Sequence, residues 1–231
     1  MSIHLFIDHT LAPDATIPLT GPQSHYLTNV MRRKTCDVVH VFNGRQGLWA
    51  ASMNTRTSLV IHHLVAPQTQ PHRILALAFS PIKQQNWLIE KATELGVTDL
   101  YPIMCQHTTT RHFSHQRHMS IIYEACEQSR RLHIPTLHPV QKLHGFVQSI
   151  GPDTMPWTIL DIDIDRPLTP TVTDAGLCVG PEGGWSASER AFMRTVPAVQ
   201  WASLGDLVLR AETAALAGLA KFLLCVLVLI T

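Results

Sequence analysis

From residue 74 onward, short apolar runs that read as buried strands alternate with stretches of helical periodicity. This alternation constrains the chain more than any other feature. Repeated strand–helix–strand units build a mostly parallel sheet with helices on its faces, and such a sheet takes ligands at the carboxyl ends of its strands. The strand candidates are ILALAFS (74–80), TDLYPIMC (98–105), MPWTILDID (155–163), AGLCVG (175–180) and AVQWASLG (198–205). A helix is predicted over 83–95, where Trp87, Leu88, Ala92 and Leu95 recur at helical spacing and Gly96 suits a C-terminal cap. Further helices are predicted over 118–132, 186–194 and 211–224.

Residues 1–70 follow another pattern. HLFI, DVVHVF, LWAAS and SLVIHHLV are short β-rich runs, interrupted by one helical piece, SHYLTNVMR, and by a turn at Asn43–Arg45. They predict a small β-barrel or sandwich. APQTQPHR (66–73) carries two prolines and polar residues and reads as a linker, which divides the chain into domains 1–70 and 71–231. A hydrophobic content of 45% over 231 residues argues for buried cores and against disorder.

Charge is unevenly distributed. Residues 1–150 hold 13 Lys/Arg against 8 Asp/Glu, and residues 151–231 hold 5 against 9. The first two-thirds could meet an anionic partner, or the asymmetry could lie on two solvated faces. Cys36, Cys105, Cys126, Cys178 and Cys225 are scattered and never form a CxxC pair, which points to reduced thiols in a cytosolic setting. MSIHLFIDHT lacks the pattern of a signal peptide. The apolar run 214–230 falls short of the ~20 residues of a spanning helix. It carries Lys221 near its middle, so a buried helix, or one covered by a second subunit, is expected and no membrane.

VGPEGGWSASER (179–190) places a glycine turn after a strand, and Ser186 and Glu189 have capping-box spacing for the next helix. The run lacks the Gly-Lys-Ser/Thr of a P-loop, the G-x-G-x-x-G of a dinucleotide site and the closing glycine of a nucleophile elbow. A structural turn and a small-molecule loop both remain open. In a second loop, Gly205 again follows a strand. Arg210 and Glu212 then sit beside Leu207 and Leu209, as an ion pair or as site groups. HFSHQRH (112–118) spaces three histidines three apart, but neither cysteine nor carboxylate stands near them. A polar loop is the reading, and no metal is expected.

GPEGGWSASE followed by LGDLVLRAETAAL closely resembles the paired motifs of the bacterial 16S ribosomal RNA uridine N3-methyltransferases, a family of the trefoil-knotted SPOUT methyltransferases. KATELGV (91–97), Pro102, EACEQSRRLHIP (124–135) and HYLTNVMRRKTCDVVHVFNGRQGLW (25–49) resemble the same family in the same order. The chain departs from it at Lys83–Asn86, at Gln106-His107-Thr108, where the family usually has Glu-Arg-Ser, and at Thr35-Cys36, where it usually has Pro-Gly.

The resemblance implies a C-terminal knotted, mostly parallel α/β domain, a small β-barrel-like, PUA-like RNA-binding domain over 1–70, and a cytoplasmic homodimer. It implies S-adenosylmethionine as cofactor and 16S ribosomal RNA or the small ribosomal subunit as partner. The cofactor maps onto Leu160, Val179, Gly180, Pro181, Gly183, Gly184, Leu204, Gly205, Leu209, Arg210 and Thr213. Arg210 and then Arg131 are the candidates for stabilising an anion on the uracil. Glu182 and Glu212 are the candidate bases, though either could instead cap a helix or pair with an arginine. Glu124, Gln128 and Arg131 would share a helix face, as substrate wall or structural network. Arg32, Arg33, Lys34 and Arg45, with Lys83, read as RNA contacts, the first four as phosphate contacts; the alternative for those four is an ordinary solvated turn. The competing readings are a non-catalytic RNA-binding protein on the same fold and a related knotted methyltransferase with a different RNA target; a membrane-anchored protein is a third, resting only on residues 222–230.

Overall fold

Parallel strands buried on both faces need apolar side chains at every position, and the second part of the chain supplies them. In a computed structural model that describes residues 3–71, 74–110, 112–150, 155–170 and 174–230, with side chains described only to residue 224, β6 (Leu75–Phe79), β10 (Trp157–Leu160) and β11 (Ala175–Val179) are buried throughout. With β7 (Asp99–Met104), β8 (Thr136–Leu137) and β12 (Val199–Ala202) they form a parallel sheet in the order β12-β10-β11-β6-β7-β8. The two-residue β9 (Gln141–Lys142) continues the pairing along β7. The helices of this part are α2 (Gln85–Glu94), α3 (His115–Ser129), α4 (Leu143–Ser149), α5 (Ala187–Met193) and α6 (Ala211–Ile230).

Strand order reverses beside β6. From there the chain adds β7 and β8 on one side, then returns with β10 and inserts β11 between β10 and β6. The carboxyl ends of β10, β11 and β12 therefore lie side by side. On α6, buried Ala215, Leu219 and Phe222 recur at helical spacing, while Lys221 turns out to donate to the Leu168 carbonyl at 3.3 Å. Among the described residues no helix is long and apolar enough to cross a membrane.

The first part is a sheet in the order β1-β3-β4-β5-β2, built from β1 (His4–Phe6), β2 (Thr16–Pro18), β3 (Val38–Phe42), β4 (Leu48–Thr55) and β5 (Ser58–Ala66). Alternation puts Leu5, Val39, Val41, Ala51, Met53, Leu59 and Ile61 into one core. β1 pairs with β3 and β2 with β5, and among the described residues the two edges do not pair with each other, so the small β-rich first domain is a half-barrel. The helical piece is α1 (Gly21–His25), started by a Thr20–Gln23 capping box and continued as a π-helical turn, Tyr26–Val30.

By contact the chain divides into Met1–Gln70 with Cys126–Ile134, and Pro71–Ala125 with Pro135–Thr231. The expected boundary assigned 126–134 to the second domain. The predicted helix 118–132 is also shifted: α3 stops at Ser129 because Arg130 turns left-handed, at φ +58. Of the linker, His72 and Arg73 lie outside the described residues, as does the Cys225 side chain in the apolar tail.

Candidate functional site

The loops that leave β10, β11 and β12 enclose a cavity of about 600 Å³. The loop after β11 is held from several sides. Trp185 is buried, and its indole N–H donates to the Leu160 carbonyl at 3.1 Å, which ties this loop to the end of β10. Its ring lies against Gly180, where a Cβ would stand 2.8 Å away, so a larger residue has no room. The predicted capping box starts α5: Glu189 N–H donates to Ser186 Oγ at 3.3 Å, and Ser186 N–H donates to Glu189 Oε2 at 2.9 Å.

The segment that departs from the family pattern braces the same loop. Glu189 Oε1 accepts from the Gln106 N–H at 2.7 Å. His107 Nδ1–H donates to the carbonyls of Gly183 and Gly184 at 3.1 and 2.9 Å. Two carbonyl partners require that nitrogen to be the donor. Thr108 Oγ1 accepts from Cys105 N–H at 2.8 Å and bonds Ser80 Oγ at 2.7 Å, in the buried layer behind.

The loop after β12 has fewer ties. Gly205 sits at φ +118, outside the range of other residues, and its N–H donates to Ser203 Oγ at 3.2 Å. Leu207 and Val208 are 79% and 85% exposed. Arg210 is exposed at the start of α6, and its carbonyl accepts the Ala214 N–H. After β10, Asp161 is buried and forms an ion pair with Arg190, with Arg190 Nε 2.8 Å from Asp161 Oδ2.

Most of the predicted cofactor residues line this cavity: Leu160, Val179, Gly180, Pro181, Gly184, Leu204, Gly205, Leu209 and Arg210. Glu182 lines it too, from an exposed position. Gly183 and Thr213 do not. Gly183 faces His107, and Thr213 is exposed on α6. Glu212 is buried beside the cavity without lining it, and its Oε2 has no hydrogen-bond partner among the described residues.

Arg131 is not brought to the cavity. It follows the end of α3, belongs to the first unit and donates through Nε to the His133 carbonyl at 2.7 Å. Because α3 ends first, it shares no helix face with Glu124 and Gln128. Arg32, Lys34 and Arg45 are exposed in the first unit, Arg33 is half-buried, and Lys83 is exposed before α2. Arg45 lies 3.8 Å from Asp8. In HFSHQRH the histidines have separate neighbours. His115 Nε2 meets the Leu137 carbonyl, and His118 Nε2 meets Asn86 Oδ1. Burial, with the nearby charges of Arg117, His112 and His115, lowers His118 to about 4.

Sequence reasoning missed Asp161, Trp185, Arg190 and Ser203 as lining residues, with the apolar rim Leu207 and Val208. Trp185 stood inside the glycine motif, but its role depends on a carbonyl 25 residues away. Burial first and the Glu189 charge second push the nearby Cys105 thiol up to about 12.

Fold and cavity together define a class: a parallel α/β domain with a small-molecule site walled by paired glycine loops at the carboxyl ends of its strands. Residues 68–223 match the model of the RNA methyltransferase domain family, well over half of the chain, and the chain belongs to that family. It is 29% identical to a ribosomal RNA small subunit methyltransferase E of Rickettsia conorii, over 94% of this chain and 93% of that one. A protein of the same name from Synechocystis is 29% identical, over 90% of this chain and 73% of that one. The crystal structure of a Neisseria gonorrhoeae ribosomal RNA small subunit methyltransferase E, bound to S-adenosyl methionine, shares the fold. Its TM-score is 0.85 at 23% identity, covering 97% of this chain and 98% of that chain.

Proposed function

We propose that this chain methylates N3 of a uridine in the 16S RNA of the small ribosomal subunit, with S-adenosylmethionine as methyl donor. The observation that carries the reading is the three-loop cavity of an RNA methyltransferase family member, lined by the glycines and leucines of its two motifs. The names of the relatives support the ribosomal substrate, and the ligand of the Neisseria structure supports the donor.

The residues present fit such a donor. A cavity of about 600 Å³ is of the size that takes a small molecule. Leu160, Leu204 and Leu209 offer apolar walls for a ring, and the backbone at Gly180, Gly184 and Gly205 offers donors and acceptors for its edge. Val179 and Pro181 complete that wall. Gly183 lies behind that wall, where its carbonyl accepts from His107. When bound, the donor supplies a sulfonium-activated methyl group.

The chain's own residues then have two tasks. Arg210, at the cavity mouth, stabilises negative charge on the uracil carbonyls as the imide loses its proton. Glu182, lining the same mouth, is the base we assign to that proton. Glu212 is read as a buried acid at a helix start. Arg32, Arg33, Lys34 and Arg45 of the PUA-like first domain, with Lys83, hold RNA phosphates. The same reading takes the loops after β10, β11 and β12 as a trefoil knot and the working unit as a cytoplasmic homodimer. Exposed Leu207 and Val208 support the second point.

The test is incubation with S-adenosylmethionine and either small subunits or free 16S RNA, followed by mass spectrometry of the nucleosides. The expected product is 3-methyluridine. Another methylated nucleoside, or none from either substrate, would contradict the proposal.

A further inference from the structure

We propose that Asp161 and Arg190 form a subsite for the vicinal hydroxyls of a ribose in the bound ligand. This rests on the methyl-donor reading above. Asp161 directly follows β10 with its side chain 4% exposed, and the side chain of Arg190, from α5, is 30% exposed. Both line the cavity.

The geometry of the pair fixes what it still offers. Arg190 Nε lies 2.8 Å from Asp161 Oδ2, and Arg190 Nη2 donates to Asp161 Oδ1 at 3.2 Å. Oδ1 also accepts the Asp163 N–H at 3.1 Å. Asp163 Oδ2 holds Arg190 Nη2 from the solvent side at 3.0 Å, which fixes the guanidinium plane. Oδ1 thus accepts two hydrogen bonds, whereas Oδ2 is buried without one among the described residues, so the acceptor positions left on Asp161 are those of Oδ2. Arg190 Nη1 has no partner among the described residues. The pair thus presents one acceptor beside unused donors.

This pattern suits a neutral group more than a cation. The Asp161 charge is already matched by Arg190, so an ammonium brought against it would lose its water for little attraction. A vicinal diol needs what the pair has left. One hydroxyl donates to Asp161 while its neighbour accepts from Arg190.

The experiment measures dissociation constants by calorimetry for S-adenosylhomocysteine and its 2′-deoxy and 3′-deoxy counterparts. The full-length protein is compared with Asp161→Asn and Arg190→Lys. The wild type should bind at least one deoxy ligand about tenfold more weakly, the range of a hydrogen bond to a charged group. Asp161→Asn should bind the ribo ligand as weakly as the wild type binds that deoxy ligand, with little further loss when the hydroxyl is removed. A similar loss for all three ligands would overturn the proposal and leave the pair a structural one. If Asp161→Asn fails to fold, the wild type alone decides, and equal affinities for the three ligands overturn the proposal. Wild-type protein that binds none of them overturns the methyl-donor reading itself.

Discussion

The loops after β11 and β12 form two walls of one cavity, yet they are built in opposite ways. The first is anchored by a buried indole, a capping box, and bonds from Gln106 and His107. The second leaves Leu207 and Val208 almost wholly exposed and is turned by one glycine and one serine. A fixed wall can set a ligand's position at little entropic cost on binding. The apolar second wall gains from whatever covers it, a ligand or another surface.

That contrast can be broken by substitution, beginning with the largest effect. Trp185→Ala should cost roughly 3–5 kcal/mol of stability. In a chain of this size each kcal/mol is worth about 2–4 °C, so melting should fall by roughly 10 °C. Unchanged melting would remove the anchor from the account. Arg210→Ala should slow methyl transfer about a hundredfold, with donor affinity little altered. A matching loss of affinity would reassign Arg210 to ligand binding. His107→Ala should cost about 1 kcal/mol and weaken donor binding without changing the rate at saturation. Leu207→Ser with Val208→Ser should shift the stability of the ligand-free protein by less than about 0.5 kcal/mol, and donor affinity should fall. If the pair instead melts the protein as Trp185→Ala does, the two walls are not different in kind.

The parts of this design that rest on local periodicity were legible in the sequence. Buried strands, the Ser186–Glu189 capping box and the glycine turns each depend on residues a few positions apart. What escaped depends on distance in the chain. Asp161 and Arg190 meet across 29 residues, and His107 reaches Gly183 across 76. The misplacement of Arg131 has a local cause. A left-handed arginine at 130 ends α3, so a helical projection carried through 131 puts that side chain on a face it does not occupy. β8 and β9 escaped because two residues carry no detectable alternation. The turn at Thr35-Cys36 shows the reverse case. Cys36 stands at φ +70, the conformation that the family's usual glycine takes without strain.

The central claim is that the three-loop cavity is a methyl-donor site. Titration of the purified protein with S-adenosylmethionine, read by calorimetry and by melting temperature, tests it most directly. The account predicts saturable heat, with a melting temperature that rises as donor concentration passes the dissociation constant. No heat and no stabilisation at millimolar donor would contradict it.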